Sequence, residues 1–267
     1  MSKAFSHQTG ALILAGLVIF TWERVLTRPD GYLHLTLLDS EGTVLVQTPN
    51  GNSVLLGGGL SPSLLRQNLG EMLPAGDQSL DLLIVGSAGR EDLNGLTGSL
   101  TKFPVELVLW GIEPGVNQYS RAVYGDLYDR EIPILTLEAG QRVDLGKDIS
   151  LEVLWSGERG HVIWLEWEHF SALIPAGKVE EAWIQDERDP DVLLLPDGIT
   201  ATSLPLDKIN RWAPTAILFP LEDADLPLQG EHPLLTALDN YPVVSTLDHG
   251  WVRVRTDGYK LWVNGER

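Results

Sequence analysis

The chain of 267 residues contains no cysteine. Disulfide bonds, thiolate metal sites and a cysteine nucleophile are therefore excluded. Basic residues are scarce, since 19 Lys and Arg stand against 37 Asp and Glu and give a formal net charge of −18. Non-specific binding to nucleic acid depends on Lys and Arg side chains that neutralise phosphates, so this charge disfavours it. We expect a solvated acidic surface.

Long apolar segments are also rare. One strongly hydrophobic segment without a charged residue covers residues 10–22. This stretch is shorter than the ~20 residues that a membrane-spanning helix usually needs. Its extension to residue 26 requires Glu23 and Arg24 to lie near the membrane interface, where Trp22 is also favoured. Residues 10–26 are predicted to be a membrane anchor, with a cleaved signal peptide or a buried N-terminal helix as alternatives.

Residues 28–31 read RPDG, which is typical of a turn and marks a domain boundary. The sequence therefore predicts an anchor and linker over residues 1–30 and one folded domain over residues 31–267. In that domain short apolar strands alternate with amphipathic helices, which indicates an α/β layered fold. Residues 61–73 are predicted to form a helix capped by Ser61 or Ser63, and residues 118–129 a second helix.

The most informative stretch is residues 80–96, which read LDLLIVGSAGREDLNGL. The apolar run is of strand length, and it ends abruptly at two glycines that flank a serine and an alanine. A short helix is predicted after this loop. Another apolar strand is predicted over residues 105–110.

This stretch resembles the metal-binding segment of metallo-β-lactamase-fold proteins, and in particular the extracytoplasmic domain of ComEC-type DNA-internalisation (competence) proteins. In that family the segment runs approximately L-D-x-L-V-L-T-H-P-H-A-D-H-I-G-G-L. The order and spacing of strands over residues 31–267 extend the resemblance. It implies a metallo-β-lactamase-like four-layer αββα sandwich, here preceded by an N-terminal hydrophobic helix.

The resemblance also assigns the positions at which the family carries its metal-site groups. Asp39 matches the family and His232 lies near one of its ligand positions, but the other positions carry different residues and the imidazoles of the histidine motif are absent. The vestigial-site positions are Asp39, Gly57, Ser87, Gly89, Glu91, Asp92, Lys178, Asp197 and His232.

A di-zinc site needs imidazole and carboxylate groups that converge on two cations. Gly89 has no side chain, Ser87 is a poor zinc ligand, and the ammonium group of Lys178 cannot bind a metal. The resemblance therefore implies a metallo-β-lactamase-like pseudoenzyme without a metal cofactor. Its expected role is binding or structural, as a single-pass protein of the cell membrane with an extracytoplasmic domain beside a competence channel protein.

Two other functions stay open. The first is a metal-dependent hydrolase, a phosphodiesterase or nuclease, in which Glu91, Asp92, Asp39 and His232 hold Mn²⁺ or Mg²⁺, since these cations prefer oxygen ligands. The second is an acidic protein-interaction module. In either non-catalytic case Glu91 and Asp92 are interpreted as surface charges near a helix N-terminus.

Tryptophan is frequent, with nine residues that include Trp164, Trp167 and Trp251. Such rings can stack nucleic-acid bases. Because basic neighbours are not evident in the sequence, these tryptophans are predicted to be packing residues.

Overall fold

Two stacked β-sheets form the centre of the molecule, and helices cover their outer faces. The computed structural model describes residues 30–179, 182–196, 199–221 and 233–265, apart from the side chains of residues 248 and 249. Within this part of the chain the predicted α/β class is confirmed.

The first sheet has eight strands in the order β15-β14-β1-β2-β3-β4-β5-β6. Strands β3 to β6 are parallel to one another, whereas β15, β14, β1, β2 and β3 pair antiparallel. The strands are β1 (Leu33–Leu37), β2 (Val44–Gln47), β3 (Ser53–Leu56), β4 (Leu80–Val85), β5 (Val105–Trp110), β6 (Ile134–Thr136), β14 (Val252–Thr256) and β15 (Leu261–Gly265).

The second sheet has seven strands in the order β13-β12-β11-β10-β9-β8-β7. It too has an antiparallel part, β7 to β10, and a parallel part, β10 to β13. The strands are β7 (Arg142–Gly146), β8 (Ile149–Gly157), β9 (Gly160–Trp167), β10 (Phe170–Gly177), β11 (Val192–Leu194), β12 (Ala216–Phe219) and β13 (Val243–Ser245).

Six α-helices and two short 3₁₀ helices lie in the described residues. The α-helices are α1 (Pro62–Met72), α2 (Arg90–Leu93), α3 (Gln118–Asp129), α4 (Leu206–Trp212), α5 (Pro233–Ala237) and α6 (Thr246–His249), and the 3₁₀ helices are Asn94–Leu96 and Ala182–Ile184. Ser61 caps α1, because its Oγ accepts a hydrogen bond from the Leu64 amide at 3.3 Å. Asn117 caps α3 through the amides of Tyr119 and Ser120.

A continuous apolar core fills the space between the sheets. Strand β4 shows how the sequence produces this layering, because successive side chains of a strand point to opposite faces. Leu82 and Ile84 enter the core between the sheets, while Leu83 and Val85 enter the core under the helices of the first sheet. A strand buried on both faces reads as an unbroken apolar run, which explains the pattern of residues 82–85.

The helices bury one apolar side each against the outer faces. Leu65 and Leu69 of α1 and Val123 of α3 pack on the first sheet, and Ile209 of α4 and Leu234 of α5 pack on the second. The layers are therefore helix, sheet, sheet and helix, which is the predicted αββα sandwich.

Most predicted elements are present, with differences at their ends. The helix predicted over residues 61–73 spans Pro62–Met72, and the predictions for 105–110 and 118–129 match β5 and α3. Neither α4 nor β15 was predicted. Both are short, and their sequences lack a long periodic pattern.

The predicted N-terminal hydrophobic helix and anchor lie outside the described residues. Within the described part of the chain no helix is both long and apolar enough to cross a membrane. The division into residues 1–30 and 31–267 stays a prediction.

Gly125 offers a test of the α3 assignment, because it lies inside the helix and a Cβ atom there would meet no atom within 4 Å. Gly125→Ala should stabilise the fold by about 0.5–1 kcal/mol, since alanine loses less backbone entropy in a helix. Urea unfolding measures the change. Gly58→Ala is the opposite control: its Cβ would overlap the Leu96 side chain, and it should destabilise the fold. A loss of stability in Gly125→Ala would contradict the assignment.

Candidate functional site

A cleft of about 420 Å³ opens where the two halves of the sandwich meet. It lies at the carboxyl ends of β4, β5 and β10, the edge at which open α/β sheets place their ligand sites. The cleft is lined by Ser87, Ala88, Gly89, Glu91, Asp92, Ile112, Glu113, Val116, Asn117, Glu158, Arg159, Gly177 and Lys178.

The loop after β4 forms one wall of the cleft, and two hydrogen bonds hold it in place. The amide of Gly89 donates to the Ser87 Oγ at 3.3 Å, and the Asn117 side-chain amide donates to the Ala88 carbonyl at 2.6 Å. Asn117 also caps α3, so this helix and the loop share one anchoring residue. The loop then turns into α2, whose first turn carries Glu91 and Asp92.

The two carboxylates of this wall fold back over Gly89. A Cβ atom at residue 89 would lie 2.5 Å from Oδ2 of Asp92 and 2.8 Å from Oε1 of Glu91. The carboxyl groups therefore occupy the space that a side chain at residue 89 would enter. Both residues are half-buried.

The facing wall is cationic as well as acidic. Lys178 and Arg159 are exposed at its rim together with Glu158. Gly177 has φ +71° and approaches the first wall so closely that a Cβ atom there would lie 2.9 Å from the Ser87 Cβ. Carboxylates and cations therefore line the same cleft.

The structure brings five of the nine predicted positions together in this cleft: Ser87, Gly89, Glu91, Asp92 and Lys178. Gly57 lines a small adjoining cavity that Asp92 also borders. Asp39 lines neither space, and its Oδ1 accepts the amides of Glu41 at 3.1 Å and Thr43 at 2.9 Å, which shapes its own loop. Asp197 and His232 lie outside the described residues.

The residues present do not fit the metal centre that the resemblance associates with this position. Among the residues that the structure describes, no three His, Cys, Asp or Glu side chains converge so that they could hold a metal ion. Glu91 and Asp92 supply carboxylate oxygens, but a lysine ammonium lines the same cleft. A cation in this place repels a divalent metal ion.

Sequence reasoning missed the histidine that lies directly behind this loop. His161 is on β9 and is 2% exposed, and neither of its ring nitrogens has a hydrogen-bond partner among the residues that the structure describes. A Cβ atom at Gly86 would overlap its ring, so the imidazole packs on the bare backbone where β4 ends. The sequence signal was weak, since a single histidine on a strand carries no motif.

Burial controls the charge of this imidazole. Because the apolar surroundings disfavour the protonated form, the pKa of His161 falls to about 4. The ring is therefore neutral at physiological pH. It acts as a packing group that joins the second sheet to the first sheet behind the cleft.

The contact between Gly86 and His161 predicts a strong coupling between the two residues. Gly86→Ala alone should destabilise the fold by about 2 kcal/mol or more, because the new methyl group overlaps the ring. In a His161→Ala background the same substitution should cost much less. Urea unfolding of the four proteins of the double-mutant cycle gives the coupling energy. Additive effects would contradict the contact.

His161 should also make stability depend on pH. An imidazole in the unfolded chain has a pKa near 6.5, above the value of about 4 in the fold. The unfolded state therefore binds more protons in this interval, and stability falls as the pH falls from 6.5 to 4. Over this interval the free energy of unfolding should fall by roughly 3 kcal/mol.

His161→Leu should remove this contribution. The measurement is the free energy of unfolding of both proteins in urea between pH 6.5 and 4. As the pH falls, the variant should lose less stability than the wild type. His169→Leu is the control, because His169 lies on the β9–β10 turn. Equal pH slopes for wild type and His161→Leu would show that the ring is not held neutral by burial.

Comparison with solved structures identifies the fold. The chain is similar to the metallo-beta-lactamase fold protein YhfI from Bacillus subtilis, with a TM-score of 0.55, 12% identity, and coverage of 80% of this chain and 95% of that chain. A mutant of CmlA beta-hydroxylase gives a TM-score of 0.52 with 10% identity. That match covers 84% of this chain, which spans about half, 54%, of the hydroxylase chain.

Sequence comparisons add nothing to this assignment. No protein-family model matches the chain, and no curated protein matches it. At 10–12% identity the similarity to solved structures concerns the arrangement of the chain and not its chemistry. The chain has a metallo-β-lactamase fold.

Proposed function

We propose that this chain is a metal-independent member of the metallo-β-lactamase fold whose role is binding or structural. The observation that carries the proposal is the composition of the cleft. The carboxylates of Glu91 and Asp92 and the ammonium group of Lys178 line one cleft, at positions where the resemblance to the family implies metal-site groups. Metal-assisted hydrolysis needs several convergent ligands and a polarised water, and this mixture of charges favours neither.

The cleft has the properties of a recognition site for a polar partner. Its volume of about 420 Å³ falls in the range of sites for small molecules or peptide segments. Ile112 and Val116 supply apolar surface beside both signs of charge. Such a lining supports binding of a ligand or peptide segment that carries both charges, because the cleft offers a partner for each sign.

The cellular role that we propose follows from the resemblance to ComEC-type proteins. Residues 10–26 anchor the chain in the cell membrane, and residues 31–267 form an extracytoplasmic domain beside a DNA-translocation channel. The domain contributes binding, not cleavage, to DNA uptake. A channel protein that lacks its own metallo-β-lactamase-like domain is the expected partner.

The alternative hydrolase has weaker support. It requires Asp39 to join Glu91 and Asp92 around Mn²⁺ or Mg²⁺, yet Asp39 lines neither the cleft nor the adjoining cavity. Its remaining ligand, His232, lies outside the described residues. The acidic protein-interaction module differs from our proposal in its partner, which would be a protein unrelated to DNA uptake.

The proposal predicts that the purified full chain binds neither zinc nor manganese tightly. Elemental analysis after growth with both metals should find each well below one equivalent per chain. The chain should also fail to cleave single-stranded DNA or a phosphodiester in the presence of either metal. The matched variant carries Ser87→His, Gly89→His and Lys178→Asp together, and it should gain zinc because it restores three ligand-type groups at one cleft.

Two results would contradict the proposal. One is a stoichiometric metal in the wild-type chain. The other is metal-dependent cleavage of single-stranded DNA that Glu91→Ala together with Asp92→Ala abolishes, which would establish the hydrolase. Capture of a protein unrelated to a DNA channel, with no metal and no cleavage, would favour the interaction module.

A further inference from the structure

The outer face of strands β1, β14 and β15 carries a group of arginine and aromatic side chains. Val252 and Val254 of β14 point into the core between the sheets. Because side chains alternate along a strand, Arg253 and Arg255 point to the opposite side. We call this surface the Arg–Trp face, and it consists of Tyr32, Trp251, Arg253, Arg255 and Trp262.

The strand register places these groups side by side. Arg255 lies between His34 of β1 and Trp262 of β15, and Arg253 lies between Thr36 and Asn264 in the next row. Cross-strand partners share one face of a sheet. The two rows therefore form one continuous surface that contains both arginines.

Both guanidinium groups are held by aromatic rings. The Arg255 Cζ lies 4.6 Å from the Tyr32 ring centroid and 5.0 Å from that of Trp262, and the Arg253 Cζ lies 5.3 Å from the Trp251 centroid. Such cation–π contacts orient a guanidinium group without neutralising it. The prediction that Trp251 lacks a basic neighbour is wrong, because Arg253 follows two residues later, on β14.

Neither arginine is paired with a carboxylate. Arg253 donates from Nε to the Thr36 hydroxyl at 3.2 Å, and in the described residues no ion pair joins Arg253 or Arg255 to an acidic side chain. The bordering carboxylate of Asp30 is instead 2.9 Å from Nε2 of His34. Asp30 still attracts both guanidinium groups electrostatically, and Asp77 and Asp81 line the same cavity as Arg253.

The path of the chain determines which anionic partner can reach this face. Asp30 contacts His34, so the described chain begins on the Arg–Trp face itself. The predicted anchor ends at residue 26, only four residues earlier, and four extended residues span at most about 14 Å. A domain tethered there holds this face close to the membrane surface.

We propose that the Arg–Trp face docks onto the headgroup layer of the membrane, with both guanidinium groups on the phosphates of anionic phospholipids. Tryptophan, tyrosine and arginine are the side chains that this interface favours, since each combines an apolar body with a polar end. This proposal rests on the anchor included in the proposed function.

A single-stranded nucleic acid is the competing partner, because bases stack on aromatic rings and phosphates bind arginine. Such ligands usually follow a long basic groove. The Arg–Trp face offers two cations on an acidic chain, and its place beside the anchor favours lipid.

The absence of cysteine allows a direct test with single labels in the full chain. Asn264 is exposed and opposite Arg253, so Asn264→Cys places a nitroxide on the face. Tyr128→Cys places a control label on the outer side of α3, where Tyr128 is 71% exposed. Each protein is reconstituted in vesicles of phosphatidylcholine with or without phosphatidylglycerol, and the collision of the label with an aqueous nickel complex is measured.

The label at residue 264 should be protected in vesicles with phosphatidylglycerol and accessible without it. The label at residue 128 should stay accessible in both. Arg253→Gln with Arg255→Gln should weaken binding to anionic vesicles by roughly 10- to 30-fold, since each basic residue at the surface contributes on the order of a few-fold to tenfold. Arg121→Gln with Arg211→Gln removes the same charge from exposed helical positions and should leave binding unchanged.

Asn264→Glu provides a second variant that keeps both arginines. It adds a negative charge at an exposed position of the face, so it should also weaken binding to anionic vesicles. Thermal unfolding shows whether each variant is folded. If the arginine variant does not fold, the Asn264→Glu result decides the proposal.

Alkaline extraction of the vesicles separates this proposal from the anchor. An anchored chain with an accessible label at residue 264 in anionic vesicles overturns the docking face and leaves the proposed function intact. A chain that is extracted, yet floats with anionic vesicles and protects residue 264, supports the face and refutes the anchor. A chain that binds single-stranded DNA through these arginines and does not bind anionic vesicles overturns the proposal.

Discussion

Burial of apolar side chains between the two sheets is the interaction on which the rest of the structure depends. In each sheet, alternate residues of the strands point into this core. Examples are Leu35 of β1 and Ile163 of β9. At about 25 cal/mol per Å² of apolar surface, a core of this extent is the dominant favourable term in folding. It also determines which side chains are left for the outer faces and for the edge where the cleft forms.

The cleft follows from this packing because it is the edge at which the two sheets come into contact. Gly86 and Gly177 have no side chains, so the ends of β4 and β10 approach closely. His161 fills the remaining space behind the loop with a neutral ring. Asp92 and Lys178 line the cleft beside this contact, and in our proposal this cleft serves recognition and not metal chemistry.

The Arg–Trp face depends on the same core in another way. Inward alternation of Val252 and Val254 forces Arg253 and Arg255 outward, next to the aromatic residues of the neighbouring strands. The acidic net charge therefore describes the chain as a whole but not each of its surfaces. The proposed binding cleft and the proposed membrane face lie on different parts of the fold, so an anchored domain can use both.

Much of the fold could be predicted from local patterns. The apolar run, glycine loop and short helix of residues 80–96 were predicted, as were α1, β5 and α3. Of the candidate site, Ser87, Gly89, Glu91, Asp92 and Lys178 were predicted and share one cleft. Asp39 was placed in the same set, yet it lines neither the cleft nor the adjoining cavity, and its Oδ1 accepts the amides of Glu41 and Thr43.

The sequence by itself determined the α/β layering, the break after β4 and the absence of thiol chemistry, since these depend on residue type and short-range periodicity. Only the tertiary structure decided that His161 lies behind Gly86, that Lys178 lines the same cleft as Glu91, and that Arg255 lies between Tyr32 and Trp262. Gly86 and His161, Glu91 and Lys178, and Tyr32 and Arg255 are each far apart in the chain. Their contact depends on strand register and on the stacking of two sheets, which no local pattern encodes.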